Sequence, residues 1–89
     1  MDDVISSVKD FIMSSFLVGE DPAELHPTTP LITSGLLDSL QRLDLVYFLE
    51  ERFEITLEAH EVDPSRMNTL HQIGELVTKK RREKHDAEG

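Results

Sequence analysis

The chain has 89 residues, 38% of them apolar, with four Phe, one Tyr and no Trp; this suffices for one small helical core and leaves little room for a wide active-site cleft. Eighteen acidic residues against nine basic ones give a formal charge of −9, which repels phosphate backbones and excludes general nucleic-acid binding. The absence of cysteine excludes disulfides, thiolate metal sites and a cysteine nucleophile.

The opening Met1-Asp2-Asp3 is acidic where a signal peptide is basic, and no apolar run reaches membrane-spanning length. The expectation is a cytoplasmic, non-secreted domain without a membrane segment. Residues 2–17 place Val4, Ile5, Val8, Phe11, Ile12 and Phe16 at helical spacing, with acid at the positive end of the helix dipole and Gly19 as a stop. Residues 18–37 contain Gly19, Pro22, Pro27, Pro30 and Gly35, which no single regular element accommodates. So long a loop is unusual in a small domain and points to a functional role. Leu25, Leu31, Ile32, Leu36 and Leu37 are its candidate anchors to a core.

Residues 38–53 form the strongest predicted helix. Asp38 is its N-cap, and Gln41 completes a capping-box pattern. On a helical wheel of about 100° per residue with Ser39 at zero, Leu45, Val46, Leu49 and Phe53 fall between roughly 240° and 340° and face the core. Leu40, Leu43 and Tyr47 fall between roughly 40° and 100° on the same wheel, a second stripe bordered by Asp44, Glu50, Glu51 and Glu54. An apolar strip rimmed by carboxylates has the character of a protein-docking surface; the competing reading packs Leu40 and Leu43 beneath the preceding loop. Ser39 lies between the stripes, where helix amides and the dipole favour an anionic phosphate group.

Residues 54–60 turn away, and residues 61–66 suggest a short helix interrupted by Pro64. Asn68 or Thr69 caps a last helix, with Thr69 and Gln72 in the S/T-x-x-Q arrangement and Leu70, Ile73, Leu76 and Val77 as its buried stripe. That helix is expected to continue into residues 79–82. Charge is unevenly distributed: residues 79–89 carry five basic and three acidic groups, leaving −11 on residues 1–78. The body therefore suits basic protein partners. The division expected is a domain over residues 1–78 and a charged extension over residues 79–89, whose cations form a solvated helix end in preference to a lipid or RNA contact.

His26, His60, His71 and His85 lack metal-ligand spacing and predict no metal site. No G-x-S-x-G elbow surrounds Ser39 and no EF-hand loop is present. No catalytic residue is assigned, and the chain is not read as an enzyme.

The run Gly35-Leu36-Leu37-Asp38-Ser39-Leu40, followed by Leu43-x-Leu45-Val46 and Leu49-Glu50-Glu51-x-Phe53-x-Ile55, resembles the acyl carrier proteins over essentially residues 2–78. The resemblance implies an all-α fold, a four-helix bundle with one short helix and a long loop between helices 1 and 2. It implies that Ser39 receives 4′-phosphopantetheine from coenzyme A, with Asp38 as the acidic neighbour read by a phosphopantetheinyl transferase. Leu40, Leu43, Asp44, Tyr47, Glu50 and Glu51 match partner-recognition positions. The implied protein is a monomeric carrier of acyl or aminoacyl thioesters. An activating ligase and downstream enzymes of fatty-acid or specialised biosynthesis would be its partners. Arg42, at roughly 300° on the wheel within the core stripe, and Arg52 depart from the pattern of fatty-acid carriers. With Leu36-Leu37 before the aspartate, they bring the chain closer to stand-alone specialised carriers and D-alanyl carrier proteins. The rival expectation is a small acidic helical interaction module without a prosthetic group.

Overall fold

Apolar side chains recurring at every helical turn build the first element: Val4, Val8 and Ile12 lie on one face of α1 (Asp2–Ser15) and are buried. The computed structural model describes residues 2–88, with side chains through Lys84. Three further helices follow, α2 (Ser39–Phe53), the single-turn α3 (Pro64–Met67) and α4 (Leu70–Glu88). Among the described residues there is no strand. The fold is an all-helical bundle with one short helix and a long loop between α1 and α2.

Helix α4 is the spine, packing against α1, α2 and α3 through Leu70, Ile73, Leu76 and Val77, all buried. Helix α2 contributes Leu45, Val46 and Leu49 to the same core, each worth roughly 1.5–3 kcal/mol on full burial. Phe53, expected in this stripe, is only half-buried at the end of the helix. Its ring meets Phe48 edge-on at 6.3 Å, and the Arg81 guanidinium lies 5.8 Å from its centroid. Phe48 was legible in neither stripe; it stacks on Phe11 of α1 at 4.1 Å, joining the two helices.

The α1–α2 loop is ordered by its own devices. Asp21 caps a 3₁₀ turn at Pro22–Glu24. Leu25, Leu31 and Leu37 are buried, and Ile32 is half-buried. Leu36 departs from the expected set of anchors: it is exposed, while its neighbour Leu37 takes the inward position. Gly35 adopts φ +83°, a conformation costly for other residues, and lets the chain reverse before α2.

Beyond α2, Glu54 takes a left-handed conformation (φ 54°), and the Ile55 amide donates to the Glu50 carbonyl, a Schellman closure anchored by buried Ile55. Pro64 begins a helix where it was expected to interrupt one. Asp63 caps the turn and Pro64 occupies its first position, where a missing amide hydrogen costs nothing. A separate 3₁₀ turn covers Ala59–Glu61. Thr69 supplies the cap of α4 by accepting from the Gln72 amide at 3.1 Å, which leaves the Asn68 side chain for another task. Helix α4 runs on to Glu88, and within its basic segment Lys80 pairs with Glu61 while Lys84 donates to the Glu54 carbonyl at 2.7 Å.

Candidate functional site: a serine at the mouth of helix α2

The sequence places Ser39 immediately after a cap, and the structure makes it the first residue of α2. Asp38 is extended (φ −83°, ψ −176°); its carboxylate accepts from the Gln41 amide at 2.8 Å, and the Gln41 side-chain carbonyl accepts from the Asp38 amide at 3.0 Å. This reciprocal box satisfies the third helix amide and holds the helix start rigid. The amides of Ser39 and Leu40 donate to nothing among the described residues. They remain available at the positive end of a helix of 15 residues, where negative charge is stabilised.

Ser39 is exposed, and its hydroxyl makes no hydrogen bond among the described residues. Two buried leucines set its position from behind: Leu37 lies two residues before it, and the Leu37 amide donates to the Leu31 carbonyl at 2.9 Å. The hydroxyl therefore projects outward from a start point held by core packing.

The second stripe of α2 lies open. Leu40 is 74% exposed, Tyr47 62% and Leu43 49%, so the loop does not cover them. Asp44 and Glu51 flank the strip, exposed and without ion-pair partners among the described residues. Glu50 differs from the other rim residues. It is half-buried, and its carboxylate accepts from the Leu57 amide at 3.0 Å, fastening the chain that leaves α2. Arg42 is half-buried at the edge of the core stripe, its amide donating to the Asp38 carbonyl at 2.9 Å and its side chain making no hydrogen bond or ion pair among the described residues.

Across the bundle, burial pushes the Glu61 carboxyl up, but the Glu58 amide and the Lys80 ammonium outweigh it and hold the group below the ordinary carboxylate value. The hydrogen bond to Glu61 raises Lys80 in turn. His71 pairs with Glu75 one turn on, at 3.1 Å, and no group of metal-ligating side chains forms among the described residues. The His85 side chain lies outside them. Among the described residues no helix is long and apolar enough to cross a membrane.

The sequence reading named Asn68 only as an alternative cap of the last helix, and it missed both that residue's hold on the amides of Ile32 and Thr33 and the inward role of Glu50. The signal for Asn68 was the redundancy of two adjacent cap residues where a helix uses one. No protein-family model matches the chain. Over 59 residues, 66% of its length, the chain is 34% identical to a D-alanyl carrier protein of Bacillus velezensis, of which the match covers 76%.

Proposed function

The chain belongs to the acyl carrier protein family of phosphopantetheine carriers, and from that premise we propose that Ser39 is the residue to which 4′-phosphopantetheine is attached. The protein is a carrier of a thioester-bound group and not an enzyme. The observation that supports Ser39 is its exposed, uncommitted hydroxyl beside two free amides at a helix start. The residues fit the group: a phosphodiester on that oxygen would lie where the helix end favours an anion. When bound, the group supplies the thiol that a chain without cysteine lacks.

Every other part of the task falls to the protein. Leu31, Leu37 and the Asp38–Gln41 box hold the attachment point still. Leu40, Leu43 and Tyr47 present an apolar contact, with Asp44 and Glu51 supplying charge to attract a basic partner. Glu50 contributes from a fixed position at the rim of the strip. Partners on this reading are a phosphopantetheinyl transferase using coenzyme A, an acyl- or aminoacyl-activating ligase and downstream biosynthetic enzymes. The protein acts as a cytoplasmic monomer. Tethering raises the local concentration of cargo at each enzyme without tight binding of the cargo itself.

Leu45 and Leu49 of α2, Met67 of α3 and Leu70 of α4 are fully buried in the core. This supports a short acyl or aminoacyl cargo that stays outside the core, in a specialised pathway. Incubation with a transferase and coenzyme A should add one phosphopantetheine by intact mass, and Ser39→Ala should abolish the addition. A wild-type mass unchanged by several transferases of broad specificity would refute the assignment.

A further inference from the structure

We propose that Asn68, at the junction of α3 and α4, is the positioning residue for Ser39. The proposal rests on the reading of Ser39 as the attachment residue. The Asn68 side-chain oxygen accepts from the amides of both Ile32 and Thr33, at 2.9 and 3.0 Å. Its Nδ2 donates to the Thr33 hydroxyl at 3.0 Å. Two amide donors on one side and a hydroxyl on the other admit a single orientation of the carboxamide, so the clamp is directional. The Asn68 carbonyl also accepts from the Leu31 amide at 2.6 Å.

One residue thus holds three consecutive loop residues that lie 35 or more positions away in the chain. Leu31 passes the restraint on, since its carbonyl receives the Leu37 amide at 2.9 Å. Between that bond and Ser39 there is only Asp38, itself fixed by Gln41. On the other side, the Asn68 amide donates to the Gln72 side-chain carbonyl at 3.0 Å, and the Gln72 Nε2 donates to the Ser65 carbonyl at 3.2 Å. Asn68 therefore ties α3, the start of α4 and the approach to Ser39 into one body. An enzyme that must bring the Ser39 oxygen to a reacting phosphate reads the loop and the helix start together, and misplacement of either weakens productive binding.

The test follows the rate of phosphopantetheine transfer from coenzyme A over a range of carrier concentrations, well below the melting temperature of each variant. Asn68→Leu keeps the backbone bond to Leu31 and the buried leucines but orphans the Ile32 and Thr33 amides. It should raise KM for the carrier about tenfold while kcat stays within about twofold, the pattern of lost positioning in the bound complex. Asn68→Asp retains both acceptor bonds and should restore KM to within about threefold of wild type, an effect that general destabilisation would not reverse. Amide hydrogen exchange at Ile32 and Thr33 should quicken in Asn68→Leu and stay slow in Asn68→Asp. If Asn68→Leu does not fold, Thr33→Val removes only the hydroxyl acceptor and should raise KM about twofold or more. Folded variants modified with wild-type KM overturn the proposal alone. A wild-type chain that accepts no phosphopantetheine overturns the reading of Ser39 and this proposal with it.

Discussion

Glu61 and Lys80 form an ion pair of 3.0 Å between the 3₁₀ turn after α2 and the middle of α4, with side chains 6% and 17% exposed. Glu61 is the one buried charged residue among those described, and it also accepts from the Glu58 amide at 2.9 Å. Removing its partner strands a charge in a poorly solvated place. Lys80→Met should cost about 2 kcal/mol and lower Tm by roughly 10 °C, read by thermal unfolding at neutral pH.

The same pair sets a pH window. Glu61 is held below its ordinary value of 4.5, so its contribution is present above that value and is lost as pH falls through the lower folded value. Lys80 is raised above 10.5, so its contribution is complete below that value and is lost as pH rises through the folded one. Urea unfolding across acid pH should show the loss of stability below pH 4.5 flattened in Glu61→Gln relative to wild type.

Asp38→Ala should destabilise the protein by about 1 kcal/mol through loss of the cap on α2, with Asp38→Asn retaining most of it. Far-ultraviolet circular dichroism during thermal melting measures the difference. An Asp38→Ala protein as stable as wild type would show that the box contributes nothing to holding the helix start.

Glu54 pays a conformational penalty in its left-handed backbone. Glu54→Gly should stabilise the protein by about 0.5–1 kcal/mol, the strain relieved less the greater entropy glycine loses on folding. The Lys84 contact survives the change because it is made to the backbone carbonyl. A rise in the urea midpoint at unchanged slope is the expected result.

Leu43→Glu alters only an exposed strip residue and should leave stability within about 0.5 kcal/mol. It should nevertheless lower kcat/KM for phosphopantetheine transfer about tenfold, as loss of a contact near the centre of an interface does. Raising the salt concentration should slow association of the wild-type chain with the transferase, because opposed charges supply much of the encounter rate. Equal rates at low and high salt would remove the acidic rim from the docking surface.

The helices were legible because their signals are local. The cap and box at Asp38 and Gln41, the two stripes of α2 and the buried stripe of α4 follow from side-chain spacing over one or two turns. Ser39 was legible for the same reason, since a helix start is a property of neighbouring residues. Pro64 was misread because proline stops one helix and starts another with equal ease, and only the Asp63 cap decides between them.

By its own order of residues the chain determined an acidic all-helical domain with a serine at the mouth of its central helix, since capping and periodicity act within a few positions. Tertiary structure alone decided that Asn68 holds the loop at residues 31–33, that Glu50 turns inward to Leu57, that Phe48 meets Phe11, and that Leu37 rather than Leu36 is buried. Each of those choices is made by a partner distant in the chain or by which face the core leaves open. A hydrogen bond to such a partner leaves no periodic trace along the sequence.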